Sequence, residues 1–148
     1  MIKNTLHAAC LTFVQQRIDA AQQAMQAAQE SANNETKSSA GDKYETGRAM
    51  AQEERNRNAV QLKEALHLQA ELTRIEPDRP CDTVRVGALV QTSLGSFYVS
   101  ISAGKLTVEG QEFFAISPAA PIAVALQGKR AGEEALFNGK KIRIVEVR

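Results

Sequence analysis

The sequence predicts an α+β protein. An N-terminal antiparallel helical hairpin, read as a coiled coil, precedes a small antiparallel β domain with one short helix. Three observations predict this. Residues 1–79 hold only two of the nine glycines, Gly41 and Gly47, and no proline before Pro77. They are rich in Ala, Gln, Glu and Arg, which favour helix. Residues 80–148 carry the other seven glycines, five of the seven aromatics and most of the Val, which is strand-and-turn material. Between the halves, Glu76-Pro77-Asp78-Arg79-Pro80 places two prolines that stop a helix and stiffen a linker. The expected parts are residues 1–76 as hairpin with its tip near 33–45, 77–80 as linker, and 81–148 as the β domain.

The first helix is expected from about residue 4 to about 31. Leu11, Val14, Ile18, Ala21, Met25, Ala28 and Ala32 recur in alternating steps of three and four, the 3.5-residue average of a coiled coil. Asn33-Asn34-Glu35-Thr36-Lys37-Ser38-Ser39-Ala40-Gly41 is turn chemistry. A second helix is expected from about 43 to about 76, with Ala59, Leu62, Leu66, Ala70 and Leu72 on its buried side. Its stretch Gln52 to Asn58 is polar all round, which suits a slender hairpin surrounded by solvent.

In the second half, Thr83 to Gln91 and Ser96 to Ser102 read as strands. Leu106 to Val108 and Glu112 to Ile116 flank the turn Glu109-Gly110-Gln111. Pro121 is pre-organised for the first position of a short helix, which Gly128 would close. Lys141 to Val147 alternates polar and apolar residues as a final strand.

Composition excludes several classes of function. The 148 residues carry 18 basic and 17 acidic side chains, a net charge of +1. That balance argues against independent DNA binding by bulk charge. No apolar run approaches the roughly 20 residues that cross a bilayer, so no membrane partner is expected. The two cysteines, Cys10 and Cys81, form no disulfide framework, and a reduced, cytoplasmic location is expected. His7 and Cys10 at i, i+3, with distant Cys81, lack paired zinc-ligand spacing. Gly128-Lys129 lacks the glycine spacing of a phosphate-binding loop.

Two local runs together resemble the GreA/GreB-like transcript cleavage factor family of bacterial transcription elongation factors. The first is Ile116-Ser117-Pro118-Ala119-Ala120-Pro121-Ile122-Ala123-Val124-Ala125-Leu126-Gln127-Gly128-Lys129, followed by Gly132-Glu133 and a final alternating strand. Family members carry a Ser-Pro, a short helix, then Leu-hydrophobic-Gly-Lys there. Its motif positions are Ser117, Pro118, Pro121 and Gly128. The second is Gly41-Asp42-Lys43-Tyr44-Glu45, similar to the family's Gly-Asp-x-x-Glu step at the tip of its N-terminal coiled coil. The resemblance implies an FKBP-like β domain that docks on RNA polymerase, and a coiled coil that enters the enzyme's secondary channel. It also implies that tip carboxylates, here Asp42 and Glu45, assist cleavage of backtracked RNA. Mg²⁺ would be shared with the polymerase active site rather than held by this chain alone, since two carboxylates complete a site but do not build one. The chain itself would be an accessory factor, not an enzyme.

Each candidate residue also has a plainer role. Asp42 and Glu45 form a capping-box-like pair at a helix start, which is compatible with a place at the tip. Lys37, Ser38 and Ser39 contact polymerase or the nascent RNA 3′ end, or form a solvated turn. Tyr44 stacks on a base or packs on the turn. Arg48 and Arg55, seven apart on one face, and Arg57 near them, meet RNA phosphate or pair with Glu45, Glu53 and Glu54. Where the family continues Glu-Asn-Ala-Glu-Tyr, this chain has Thr46-Gly47-Arg48 after Glu45. The alternatives are therefore a polymerase-binding regulator of the same superfamily that does not cleave, or a coiled-coil interaction module.

Overall fold

The computed structural model describes residues 2–37 and 42–148, and for 35–37 and 42–45 it describes the backbone alone. Two long helices come first, α1 (Ile2–Lys37) and α2 (Asp42–Thr73). Six strands and a short helix follow: β1 (Leu89–Thr92), β2 (Gly95–Val99), β3 (Gly104–Val108), β4 (Gln111–Ile116), α3 (Pro121–Leu126), β5 (Glu134–Phe137) and β6 (Lys140–Val147). This is the α+β class that composition predicted. The chain divides into two compact units, one of Val14–Gln69 and one of Met1–Phe13 with Ala70–Arg148. The first thirteen residues of the chain thus belong with the sheet.

In the hairpin unit, α2 returns alongside α1. Gln69 Nε2 donates to Gln15 Oε1 at 3.4 Å, and a cleft is lined by Arg17, Ala21 and Ala24 from one helix and Gln61, Ala65 and Leu68 from the other. The buried positions of α1 within this unit are Val14, Ile18, Ala21 and Ala28, as the 3.5-residue pattern predicted. On α2 the seam differs from the expected one. Ala51, Asn58, Ala65 and Leu72 are buried at intervals of seven, while Leu66 is 46% exposed and Ala65 only 3%. Small residues face inward there because they let two backbones approach, and the larger Leu66 points out. Asn58 falls within the stretch read as polar all round, yet it is buried, and its Nδ2 has no hydrogen-bond partner among the described residues.

The sheet runs in the order β3-β4-β2-β1-β6-β5. Neighbours are antiparallel except β2 and β4, which pair in parallel with Phe97 opposite Phe114 and Val99 opposite Ile116. The chain from β2 to β4 passes through β3, so the hairpin β3–β4 folds back onto the outside of β2. Glu109 and Gly110 join that hairpin with φ of 53° and 77°, the all-positive pattern of a tight type I′ turn. Asn138 and Gly139 repeat it at 50° and 77° between β5 and β6.

Four elements depart from expectation, the first being α1, which runs past residue 31 to Lys37 through residues 33–37 that read as turn. Thr83 to Gln91 is not one strand: β1 starts only at Leu89, and Thr83 makes an isolated bridge to Arg130. Gly87 at φ +92° interrupts the extended path, which a residue with a side chain would do only under strain. β5 was not expected, although the Asn138-Gly139 turn signalled a hairpin. α2 ends at Thr73, and its last carbonyls are taken by tighter bonds, Arg74 N–H to Glu71 at 3.2 Å and Ile75 N–H to Leu72 at 3.1 Å. Pro77 disfavours helix in the residue before it, so the chain unwinds early.

The core of the β-rich part is Cys81, Val84, Ala88, Val90, Val99, Leu126, Ala135, Ile142 and Ile144. Leu126 reaches it from α3, and Ile142 and Ile144 from one face of β6. Leu6, Cys10, Leu72, Tyr98 and Ile101 are also fully enclosed in this unit.

Candidate functional site

The tip candidates lie mostly outside the described residues. Ser38 and Ser39 are not described, and of Lys37, Asp42, Tyr44 and Glu45 only the backbone is. Lys37 is the last residue of α1 and Asp42 the first of α2. Glu45 follows one turn after Asp42, so the two carboxylate-bearing residues share the opening turn of α2 at i, i+3. Hard oxygen donors of this kind suit Mg²⁺ chemically. Arg48, Arg55 and Arg57 are exposed on α2 further along.

The C-terminal motif is fully described, and its residues shape the chain. Ser117 Oγ accepts the Ala119 N–H at 3.1 Å, and Ser117 C=O accepts the Ala120 N–H at 3.0 Å, closing a turn after β4. Pro121 opens α3, with Ala120 in extended conformation before it. Gly128 follows α3 at φ +77°, and its N–H donates to Val84 C=O at 2.9 Å. The Val84 N–H donates in return to Lys129 C=O at 2.9 Å. The run Gly128-Lys129 therefore fastens the end of α3 to the segment before β1. Pro118 lines cavities beside Arg85 and Val86, one of them together with Ala123 and Gln127.

A second constellation joins α1 to the sheet; of its members, sequence reasoning considered only His7 and Cys10, and rejected them as a metal site and as a nucleophile pair. His7 Nδ1 lies 3.0 Å from Tyr98 Oη, with the rings edge to face at 82°. Cys10 Sγ lies 3.7 Å from Ser100 Oγ. All four are buried. Burial lowers the pKa of His7, because the charged imidazolium loses its water. Burial raises that of Cys10, opposed by the Ser100 contact. Burial, then the nearby Cys10 and Cys81 thiols, push Tyr98 well above the ordinary phenol range. Both shifts favour the neutral imidazole and the neutral phenol, and the contact between them ties the first turns of α1 to β2. The signal that could have revealed it was the i, i+3 and i+4 spacing of Lys3, Leu6, His7 and Cys10, one face of the first helix.

No group of three or more His, Cys, Asp or Glu residues that could hold a metal ion occurs among the described residues. No described helix is long and apolar enough to cross a membrane.

No protein-family model matches the chain, and no curated protein does. Solved structures do. The crystal structure of GreA factor homolog 1 (Gfh1) protein of Thermus thermophilus is 19% identical over 93% of this chain and 94% of its own, with a TM-score of 0.38. A second structure, of the transcription factor Gfh1, is 19% identical over 93% of this chain and 92% of its own, with a TM-score of 0.35. These likenesses run the length of both chains, but at that identity and score they decide neither activity nor partner.

Proposed function

We propose that this chain is a GreA/GreB-like factor that binds RNA polymerase through the secondary channel and acts on backtracked transcripts without catalysing a reaction alone. One observation supports the reading: the chain carries both motifs in the family's order, Gly41-Asp42-Lys43-Tyr44-Glu45 and then the run Ser117 to Gly128. Of the first motif, Asp42, Lys43, Tyr44 and Glu45 form the opening of α2. The Ser117 to Gly128 run forms a turn, a Pro-initiated helix and a glycine stop in the sheet unit. Asp42 and Glu45 would complete a Mg²⁺ site that the polymerase already holds, and that ion would activate the water that cuts the RNA. Arg48 and Arg55 would offer positive charge to RNA phosphate on the way.

The substitution of Thr46-Gly47-Arg48 for the family's further acidic residue and Tyr favours a second reading, a polymerase-binding regulator that occupies the channel without stimulating cleavage.

The test is RNA cleavage by a stalled, backtracked elongation complex from the same organism. Under the first reading the protein shortens RNA 3′ ends, and Asp42→Ala or Glu45→Ala abolishes this while polymerase affinity stays nearly unchanged. Cleavage retained in both variants would refute the tip assignment. Competition with a channel-binding factor, without cleavage, would select the second reading. Absence of both would leave a coiled-coil interaction module.

A further inference from the structure

We propose that Lys3, Cys81 and Arg85 form a peroxide-responsive thiol site, in which a hydroperoxide oxidises Cys81 to sulfenic acid. The site lies wholly within the sheet unit and uses none of the residues assigned to polymerase binding.

Two cations converge on one sulfur. Arg85 Nε donates to Cys81 Sγ at 3.3 Å, and Arg85 Nη2 donates to Pro80 C=O at 3.3 Å, which holds the guanidinium in place. Lys3 Nζ stands 4.0 Å from the same sulfur. It donates to the main-chain carbonyls of Arg79 at 2.8 Å and Arg148 at 3.3 Å, and the residue is only 7% exposed. Burial lowers the Lys3 pKa and so opposes its charge, with Cys81 the first influence acting the other way. Cys81 itself is buried, at 8% exposed, and has open space beside it. Cys81 lines two cavities of about 400 and 380 Å³, the first shared with Arg79, Arg85 and Ser100, the second with Lys3, Pro80 and Arg148. Hydrogen peroxide has two heavy atoms and fits either.

The other thiol supplies an internal contrast. Cys10 is wholly buried, its neighbour is the neutral hydroxyl of Ser100, and burial pushes its pKa up. Reactive cysteines occupy electropositive, partly accessible surroundings, and inert ones are enclosed. Both thiols are buried, and the electropositive surroundings belong to Cys81, which Arg85 and Lys3 approach.

The step balances. The sulfur attacks one peroxide oxygen, the S–O bond forms and the O–O bond breaks. The thiol proton ends on the departing oxygen, so thiol and hydrogen peroxide give sulfenic acid and water. Sulfur loses two electrons and the peroxide gains them. Negative charge builds on the departing oxygen, and fixed donors beside the sulfur stabilise that charge without reorganising. One added small-molecule thiol condenses with the sulfenic acid to a mixed disulfide and water, and a second releases the Cys81 thiol with the small-molecule disulfide.

The test uses the full chain, hydrogen peroxide and the sulfenic-acid trap dimedone, read by mass spectrometry. Trypsin separates the thiols into peptides Asn4–Arg17 and Ile75–Arg85, because the Arg79–Pro80 bond resists cleavage. Cys81 is expected to label about tenfold faster than Cys10 in the native chain. It is also expected to label faster in the native chain than in the same chain unfolded in urea, where the two cations are dispersed. Arg85→Gln, at an exposed position, should slow Cys81 severalfold and leave Cys10 unchanged. Equal labelling of the two thiols, faster Cys81 labelling in urea, or an unchanged rate in Arg85→Gln would each overturn the proposal. The urea comparison needs no variant, so the proposal stays testable even where a substitution disturbs folding. No polymerase is present, so this outcome is independent of the proposed function.

Discussion

The sheet unit encloses large side chains: Leu6, Leu72, Tyr98, Ile101, Leu126, Ile142 and Ile144 are all buried. Its buried polar groups are paired, His7 with Tyr98 and Lys3 with two carbonyls. The hairpin unit encloses small ones. Beyond Val14 and Ile18 its seam is Ala21, Ala28, Ala51 and Ala65, and its buried Asn58 Nδ2 lacks a partner among the described residues. Burying a large aliphatic side chain is worth about 1.5–3 kcal/mol, so an alanine seam supplies far less per turn. The hairpin must therefore depend on the strong helix propensity of its Ala, Gln, Glu and Arg residues. The contrast predicts that the sheet unit contributes more to stability than the hairpin does.

The largest effect should come from truncating the sheet core. Ile142→Ala is expected to cost about 2–5 kcal/mol, the usual range for a buried aliphatic residue cut to alanine. Chemical denaturation measures it, and hydrogen exchange resolves where it acts. A loss of protection confined to the strands would sharpen the contrast. An equal loss along residues 14–69 would break it, by showing one cooperative block.

A smaller effect of opposite sign is expected in the hairpin. Asn58→Ala removes a buried, unsatisfied donor from a seam already lined by alanine, and should stabilise the chain by about 1 kcal/mol. A thermal melt checks this. Destabilisation would mean that the amide fixes the register between the two helices, as a lone polar residue does in other coiled coils.

The smallest expected effect is pH-dependent and confined to the sheet unit. Burial holds His7 below its ordinary value of 6.5, so the native chain favours the neutral ring. As pH falls through that value the unfolded chain takes up the proton first. The stabilising contribution is thus complete above pH 6.5 and is lost progressively as pH drops toward the lower native value. Melting temperatures between pH 8 and pH 5 should show this slope, and His7→Gln should flatten it. An unchanged slope in the variant would remove His7 from the account.

Much was legible before any coordinates. Two prolines at 77 and 80 and the shift in glycine content separated helix from strand, because backbone constraints act locally. The Glu109-Gly110 turn and Pro121 at the start of α3 followed from the same local rules. The face of α2 was not legible. Leu66 outranks Ala65 in hydrophobicity, yet Ala65 is inside, because close helix approach rewards small volume over apolar area. Nor was the parallel pairing of β2 with β4, since a strand carries no local mark of its partner's direction.

The sequence by itself determined the element types, their order and the two motifs, all of which depend on residues within a few positions of one another. Only the tertiary structure decided which residues meet across 78 to 145 positions of chain: His7 with Tyr98, Cys10 with Ser100, and Lys3 with Cys81 and the carbonyl of Arg148. Those meetings depend on the packing of α1 against the sheet. Burial then gives each polar group a partner, because an unpaired one in that interior costs too much.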